Sequence, residues 1–284
     1  MTTRRWQLAH GRFLDLGPKA VVMGILNVTP DSFSDGGLFI APEKAIAQAR
    51  RMVEEGAAII DVGGESTRPG FAPITAEEEQ ARVLPVIEAL AKSGDTLISV
   101  DTYREDTARR AVAAGAHIVN DVWGVQREPG IARVAAETAA GLVIMHTGRE
   151  RQKLPDVIED QFLFLRKSLE IARAAGVADS QIVLDAGFGF AKETTEENID
   201  LMARFSELQA LGFPLMAGTS RKRFIGAVTG REPAERAVGT AATSVVLRLK
   251  GADLFRVHDV AINVDALAVV DAMLARETAS SSRH

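Results

Sequence analysis

The chain has 284 residues, of which 46% are hydrophobic and 25% charged, with a formal net charge of −5 at pH 7 and no cysteine. This composition is typical of a globular protein with a sizeable core, and it excludes disulfides, thiolate nucleophiles and Cys-ligated zinc. The mild acidity, the lack of a secretory signal and the absence of any apolar run near the ~20 residues of a membrane span lead us to expect a cytoplasmic protein with no nucleic-acid or membrane partner.

The first predicted element is a buried strand, VVMGIL at 21–26, which changes abruptly into the polar stretch NVTPDSFSDGG. An apolar β-branched run that ends in a polar, glycine-rich loop is where α/β proteins place chemistry. The loop also carries the aromatic ring of Phe33 and is longer than turn geometry requires. An ordinary βα loop is the alternative, but the pattern favours a functional loop.

The same succession of strand, polar loop and amphipathic helix repeats along the chain. Further strands are predicted at 57–61, 97–101, 117–121, 142–146, 182–185, 214–218 and 254–258. Helices are predicted near 42–55, 76–92, 131–140, 195–211, 236–249 and 262–276. A short helix is also predicted around Ala108, Ala111 and Val112, and a longer one around Phe162, Leu165, Leu169 and Ala172.

Eight βα units without an intervening linker predict an α/β fold, a single-domain (β/α)8 TIM barrel. We assign residues 1–19 to a short N-terminal lead-in that covers the bottom of the barrel, 20–277 to the barrel and 278–284 to a disordered tail. The G-x-G-x-x-G and G-x-x-x-x-G-K-[ST] fingerprints of open nucleotide-binding sheets are absent from the sequence.

Polar or ionisable residues stand at the end of nearly every predicted strand, and these ends form the active-site rim of a barrel. They are Asn27; Asp61 with Glu65, Thr67 and Arg68; Asp101; Asn120 with Asp121; His146; Asp185; Ser220, Arg221 and Lys222; and Arg256 with His258. A single aspartate at a strand end is about as often a capping or core residue. So many together predict a site.

These residues divide by chemistry into two sets. Carboxylates and an amide, which suit a flat heterocycle with several N–H donors, come from strands three, four and six: Asp101, Asn120 and Asp185. Cations and N–H donors, which suit a phosphate or diphosphate, come from strands eight, one and two: Arg256, His258, Asn27 and the Thr67–Arg68 loop. Lys222 lies between the two sets.

The sequence contains few signs of a metal site or of a nucleophilic serine. The five histidines form no H-x-x-x-H pair, so we expect no zinc site. Asn27 can give one oxygen to a Mg2+ that a diphosphate mostly holds itself. Ser66 and Ser220 have no histidine at motif spacing. The basic cluster of Arg149, Arg151 and Lys153 is interpreted as a solvated loop.

Seven segments, in order over roughly residues 20–260, resemble the dihydropteroate synthase family. They are GILNVTPDSFSDGG (24–37), IIDVGGESTRPG (59–70), SVDTYR (99–104), IVNDV (118–122), LDAGFGFAK (184–192), TSRKRFIG (219–226) and FRVHDV (255–260). The resemblance implies a pterin-binding barrel that joins p-aminobenzoate to 6-hydroxymethyl-7,8-dihydropterin diphosphate in folate synthesis. The sequence departs from the family pattern at Ala186, at Ala191 and in the stretch HTGRE after strand five.

Carried over by motif, the resemblance implies a role for each matching residue. Pterin contacts are expected at Asp101, Asn120, Asp185 and Lys222. Diphosphate contacts are expected at Asn27, Thr67, Arg68, Arg256 and His258, with Asn27 also the Mg2+ ligand. The p-aminobenzoate pocket is expected at Phe33, Pro69, Phe190 and Ser220. The catalytic residues are expected to be Lys222, Asp185, Arg256 and His258. The resemblance also implies a homodimer, and the intact STRPG loop predicts competition by sulfonamides.

The aniline nitrogen needs no general base before the new bond forms, so no catalytic dyad is required. Because the electron-rich ring can delocalise positive charge on its CH2 group, we expect SN1-like departure of diphosphate behind closed loops. Two other functions stay open. A methyltetrahydrofolate-dependent methyltransferase uses a similar pterin barrel but does not need the SFSDGG loop or the Arg256 and His258 pair. A catalytically silent paralogue that only binds pterins would not need those residues, Asn27 or Lys222 intact.

Overall fold

Parallel strands and their connecting helices account for most of the chain. The computed structural model describes residues 3–29, 41–65, 73–94 and 96–281, apart from the side chains of residue 41 and of 278–281. The strands in these ranges are β1 Arg4–Gln7, β2 Phe13–Leu16, β3 Val21–Asn27, β4 Ile59–Gly63, β5 Leu97–Asp101, β6 Ile118–Asp121, β7 Gly141–Met145, β8 Ile182–Asp185, β9 Leu215–Ala217 and β10 Leu254–Val257. The α-helices are α1 Ala41–Glu54, α2 Ala76–Ser93, α3 Glu105–Ala113, α4 Gly130–Thr138, α5 Val157–Ala174, α6 Thr195–Ala203, α7 Arg223–Thr229, α8 Ala237–Leu249 and α9 Val260–Ser281.

Strands β3 to β10 form a closed parallel barrel in the order β10-β3-β4-β5-β6-β7-β8-β9, so the predicted (β/α)8 fold is confirmed. Both faces of each strand are buried, which explains why the strands are nearly continuous apolar runs. Along β3, Val22 and Leu26 belong to the layer between strands and helices, whereas Met23 points into the barrel. Gly24 lies in the outer layer, where a Cβ would come 2.9 Å from Met52 Sδ.

An N-terminal hairpin fills the end of the barrel where the strands begin. Strands β1 and β2 pair antiparallel, and Trp6 and Leu16 pack with Met23, Ile59 and other residues from the first half of each barrel strand. The Trp6 indole Nε1 donates a 2.7 Å hydrogen bond to the Gln181 carbonyl. Since this end is filled by apolar side chains, the site has to lie at the opposite end.

The helices differ from the prediction in three places. The helix predicted at 195–211 ends at Ala203 and continues as a 3-10 segment, Phe205–Leu211. Its tighter turn directs Phe205 and Leu208, three residues apart, into the core. Helix α7 was not predicted because seven residues are too few to show a helical period. Helix α9 runs past residue 277 to Ser281, into the segment expected to be a disordered tail. None of the helices in the described ranges has the length and apolarity needed to cross a membrane.

Candidate active site

The alternation of side chains along the strands brings polar groups to the barrel axis at the carboxyl ends. Met23 and Ile59 point inward at the start of β3 and β4, so the residues two and four positions further along point inward as well. This register directs Asn27 and Asp61 into the open end of the barrel. By the same rule Asp185 follows the inward Val183 on β8.

Arg256 connects carboxylates from two strands. Its Nε lies 2.6 Å from Asp61 Oδ2 and its Nη2 lies 2.5 Å from Asp101 Oδ2. Asn120 Nδ2 donates a 3.0 Å hydrogen bond to the same Asp61 oxygen. The sequence analysis grouped Arg256 with the diphosphate residues, but in the structure its guanidinium lies against the carboxylate set.

The charges of this cluster shift each other's protonation. Burial lowers the pKa of the Arg256 guanidinium, but the carboxylates of Asp61 and Asp101 outweigh it and raise the pKa above the ordinary value. Burial raises the pKa of Asp101 to about 7, against the opposing charge of Arg256. Two carboxylates therefore share one guanidinium in a setting of low dielectric constant.

Three buried polar atoms around this cluster have no hydrogen-bond partner among the described residues. They are Asp61 Oδ1, Asn120 Oδ1 and Ser99 Oγ, and Ser99 is the strand partner of Asp61. Nearly all buried polar atoms in proteins are paired with protein or ordered water. Asp61 Oδ1 and Asn120 Oδ1 therefore lack hydrogen-bond donors, which a ligand rich in N–H groups can supply.

Asp185 and Lys222 lie on the opposite side of the barrel. The Gly187 amide donates a 2.8 Å hydrogen bond to Asp185 Oδ1, while burial raises the pKa of Asp185 against that bond and the charge of Lys222. Lys222 Nζ lies 4.1 Å from the ring centroid of Phe190. Burial and, to a smaller extent, the charge of Arg256 together lower the pKa of Lys222 to about 7. Lys222 is therefore an amine that changes charge near neutral pH.

Ser220 and His258 form one hydrogen-bonded unit. The Ser220 hydroxyl lies 2.9 Å from His258 Nδ1 and accepts a 3.1 Å hydrogen bond from the His258 amide. The sequence analysis assigned Ser220 to p-aminobenzoate and His258 to diphosphate. Their contact joins those two regions across β9 and β10.

Gly63 leaves a space between Asn27 and Asp101. A Cβ at Gly63 would lie 3.8 Å from both Asn27 Oδ1 and Asp101 Oδ2. Among the described residues there is no group of three or more His, Asp or Glu side chains that could hold a metal ion. A single amide oxygen at Asn27 fits a Mg2+ that takes most of its ligands from a bound diphosphate, which is how magnesium is commonly held.

Four of the predicted site residues, Phe33, Thr67, Arg68 and Pro69, lie outside the described residues. The structure does describe both flanks of the second loop. Arg104 Nη2 lies 2.6 Å from Glu65 and donates a 2.7 Å hydrogen bond to the Ile74 carbonyl. One arginine thus fixes the residues just before and just after that loop.

The prediction of a solvated basic loop is wrong. Arg151 pairs with Asp160 at 2.6 Å, and Lys153 Nζ donates to the Ala191 carbonyl at 2.5 Å. Arg149 stacks 4.7 Å from the ring centroid of Phe190. The three cations are half-buried and connect neighbouring loops.

Asp61 and Asp121 are both among the polar residues at the predicted strand ends, and the sequence predicts no specific role for either. Asp61 is at the centre of the Arg256 cluster, and its inward register with Ile59 was the signal that would have found it. The Asp121 carboxylate instead accepts hydrogen bonds from the amides of Trp123 and Val125, at 2.8 and 2.6 Å, and holds a turn.

The closed barrel has a carboxylate-lined end with adjacent cations, which suits a flat heterocycle that carries N–H donors. Residues 23–258 match the sequence profile described as "Pterin binding enzyme", and the chain belongs to that family. Dihydropteroate synthase from Bacillus subtilis (strain 168) is 48% identical over 259 residues, which cover 90% of this chain and 89% of that protein.

Solved structures agree with the sequence relatives. Xanthomonas albilineans dihydropteroate synthase with 4-aminobenzoic acid has a TM-score of 0.91 and 44% identity, covering 96% of this chain and 99% of that one. The same enzyme in complex with 7,8-dihydropteroate has a TM-score of 0.86 and 42% identity, covering 95% and 99%. Within the pterin-binding family the chain is therefore a dihydropteroate synthase, a transferase of folate synthesis.

Proposed function

We propose that the protein condenses p-aminobenzoate with 6-hydroxymethyl-7,8-dihydropterin diphosphate, giving 7,8-dihydropteroate and diphosphate. The observation that carries this proposal is that two buried acceptors at the open end of the barrel, Asp61 Oδ1 and Asn120 Oδ1, have no hydrogen-bond donor. A pterin presents several N–H donors along one edge, which is what these acceptors lack. The neighbouring relative bound to 4-aminobenzoic acid supports the identity of the second substrate.

The buried carboxylates orient the pterin and stabilise positive charge that develops on it. Asp185 is buried at the end of β8, with Gly187 as its backbone donor. A carboxylate held beside the heterocycle stabilises the positive charge that develops on the ring and its CH2 group as diphosphate departs. Departure before attack follows because the electron-rich ring delocalises that charge while the aniline nitrogen is a weak nucleophile.

Cations and N–H donors stabilise the departing group. We assign Asn27, Thr67, Arg68, Arg256 and His258 to the diphosphate, with Asn27 the protein oxygen that would hold a Mg2+. When bound, that ion supplies further neutralisation of diphosphate charge. In this structure Arg256 is paired with Asp61 and Asp101. We propose that its guanidinium also contacts the diphosphate when that group is bound. Phe33, Pro69, Phe190 and Ser220 are assigned to the p-aminobenzoate pocket.

The decisive experiment measures diphosphate release with and without p-aminobenzoate. We expect release that depends on added p-aminobenzoate and forms 7,8-dihydropteroate in equal amount. Release of no diphosphate with both substrates present would reject the proposal, and a methyltransferase would instead consume a methylated folate. Positional isotope exchange in the pterin diphosphate without p-aminobenzoate tests departure before attack, and its complete absence under reversible conditions contradicts that order.

Sulfonamides should compete with p-aminobenzoate at this site. A sulfonamide places an aniline ring and an anionic group where p-aminobenzoate would place its own, next to Phe190 and Ser220. We expect a rise in KM for p-aminobenzoate with kcat unchanged, measured by initial rates at several inhibitor concentrations. Turnover unaffected by a high concentration of sulfonamide would contradict this assignment of the pocket.

We also propose that the protein is a homodimer through the outer face of α8. Val238, Val246 and Leu249 on this helix are exposed, and Val238 retains 72% of its surface. Apolar residues gathered on one helix face suit burial against a second copy. Sedimentation velocity should give a species of twice the 30.4 kDa chain mass, and Val238→Glu should shift it towards monomer. A wild-type protein that is monomeric at micromolar concentration contradicts the proposal.

A further inference from the structure

A group of buried ionisable side chains lies behind β7 and β8, outside the pocket described above. The Lys192 cluster consists of Lys192, His146, Asp160 and Arg151. Lys192 Nζ lies 3.0 Å from His146 Nδ1, and His146 Nε2 lies 2.9 Å from Asp160 Oδ2. Asp160 accepts two hydrogen bonds from Arg151, at 2.8 and 2.6 Å. Lys192, His146 and Asp160 are each at most 5% exposed. Hydration therefore cannot account for three ionisable side chains at these positions.

Lys192 also contacts the loop that carries two site residues. Its Nζ donates a 2.8 Å hydrogen bond to the Gly187 carbonyl, which in turn accepts the Phe190 amide at 3.1 Å. The amide of the same Gly187 donates to Asp185 Oδ1. One peptide segment thus connects Lys192 with the pterin carboxylate on one side and with the ring beside Lys222 on the other.

The bond to Gly187 does not depend on the protonation state of its neighbours. The His146 ring lies between Lys192 Nζ, 3.0 Å from Nδ1, and two groups that each lie 2.9 Å from Nε2, the Asp160 carboxylate and Arg151 Nη2. Burial and, to a smaller extent, the charge of Lys192 together lower the pKa of His146 to about 3, so the ring is neutral. Burial likewise lowers the pKa of Lys192 to about 7. An amine in either protonation state has the hydrogen atoms to keep the Gly187 bond.

The space around Gly187 explains why the segment needs an anchor. Its φ of +61° is left-handed, and a Cβ would lie 2.0 Å from the His146 carbonyl oxygen. Backbone in this region favours glycine, which offers no side chain to hold the turn. The turn is therefore held by buried side chains from outside it: Lys192 at the Gly187 carbonyl, Asn198 at the Gly189 amide and Gln161 at the Ala186 carbonyl.

Contacts from the preceding loop add to the same restraint. Lys153 Nζ donates to the Ala191 carbonyl at 2.5 Å and pairs with Glu197 at 2.8 Å, while the guanidinium of Arg149 covers the Phe190 ring. The segment that carries Phe190 is thus held from inside by Lys192 and from outside by Lys153 and Arg149.

We propose that Lys192 is a positioning residue of the transferase, which sets the turn at Gly187 and through it the placement of the Asp185 carboxylate and the Phe190 ring. The structural role of Lys192 is independent of the proposed reaction, whereas the expected change in kinetics rests on that reaction. Asp185 orients the pterin and Phe190 borders the p-aminobenzoate pocket, so loss of Lys192 affects both kcat and the KM for p-aminobenzoate. Misplacement of reacting groups by about 1 Å costs on the order of 100-fold in rate.

The test compares Lys192→Met, Lys192→Gln and the control Lys250→Met. Lys250 Nζ also donates to a backbone carbonyl, that of Ala203 at 2.7 Å, but on the exposed outer surface. We expect Lys192→Met to lower kcat/KM for p-aminobenzoate about 10- to 100-fold per folded molecule. Lys192→Gln should recover most of this because its amide can still donate to Gly187, and Lys250→Met should match the wild type.

Amide hydrogen exchange, measured without substrates, separates this inference from the proposed reaction. Peptides covering 187–191 should exchange faster in Lys192→Met than in the wild type. A folded Lys192→Met variant with unchanged kcat, KM and exchange overturns the proposal, because a purely structural role moves only stability. If Lys192→Met does not fold, Lys192→Ala replaces it, since it also removes the Gly187 bond and leaves a polar space that water can fill. Unchanged exchange at 187–191 in that variant overturns the proposal as well.

Discussion

At the scale of single residues, the buried carboxylate of Asp185 carries the sharpest expectation. Asp185→Asn keeps the shape and the Gly187 hydrogen bond but removes the negative charge. Loss of one preorganised electrostatic group costs about 100-fold or more in kcat. Steady-state rates should show that loss for Asp185→Asn, whereas Asp179→Asn, which breaks only an exposed pair with Arg173, should keep wild-type rates. A changed KM for the pterin with kcat intact would mean that Asp185 serves ground-state binding alone.

A second residue-scale expectation concerns Ala191, a departure from the family pattern. Its φ of +53° is left-handed, which costs a residue with a Cβ about 1 kcal/mol. Ala191→Gly removes that strain, and after the entropy that glycine gains in the unfolded chain we expect a net stabilisation of about 0.5 kcal/mol. Urea denaturation measures the change.

Ala175→Gly is the matched control for Ala191→Gly. Ala175 has a right-handed φ of −79°, so glycine there relieves no strain and should destabilise by about 0.5–1 kcal/mol. If both substitutions destabilise equally, the left-handed conformation of Ala191 carries no cost. Neither substitution touches a side chain of the proposed pocket.

Individual side chains also show where sequence reasoning stops. Asp101, Asn120 and Asp185 could be found because an inward position at a strand end follows from alternation alone. The bridge from Arg256 to Asp61 and Asp101 could not, because it depends on how a flexible arginine on β10 crosses the barrel to β4 and β5. The Lys192 cluster escaped notice for the same reason, since its contacts span loops far apart in sequence.

At the scale of elements, the strands were predictable because burial on both faces makes each one an unbroken apolar run. The short helix α7 and the 3-10 segment Phe205–Leu211 were not, because neither shows two full turns of α-helical period. The conformation of the 3-10 segment is set by tertiary contacts. Phe205, for example, stacks on Phe188 with ring centroids 6.2 Å apart.

The N-terminal hairpin provides an element-scale test. Trp6 is 1% exposed and fills the strand-start end of the barrel, whereas Phe13 on the same hairpin is 51% exposed. Trp6→Ala should lower the free energy of unfolding by about 3–5 kcal/mol, and Phe13→Ala by about 1 kcal/mol or less. Urea unfolding followed by circular dichroism gives both values. Similar losses for the two variants would mean that the hairpin contributes little to the core.

At the scale of the whole molecule, buried lysines should make stability depend on pH. Burial lowers the pKa of Lys192 and of Lys222 to about 7 from 10.5. Between these values the unfolded chain binds a proton at each lysine and the folded protein does not, so the free energy of unfolding rises with pH. Two such groups give a slope of at most about 2.7 kcal/mol per pH unit.

Urea denaturation without ligands from pH 8 to 9.5 measures this slope. That window lies above the values of about 7 to which burial raises the pKa of Asp101 and Asp121, and the sequence has no cysteine to titrate there. Lys222→Met should reduce the slope, and Lys250→Met should leave it unchanged. A free energy of unfolding that stays flat or falls across the window would show that the lysines keep their ordinary pKa when folded.

The closure of the barrel has a consequence for how the chain acquires its structure. The first barrel strand, β3, pairs with the last, β10, in the register Val21 to Leu254, and the hairpin before it depends on a carbonyl 175 residues away. Such distant contacts make loop closure slow and leave partly folded chains exposed. During synthesis the N-terminal third has no permanent neighbour on one edge until β10 emerges. Truncation before β10 should therefore yield aggregation-prone chains and not a smaller stable barrel.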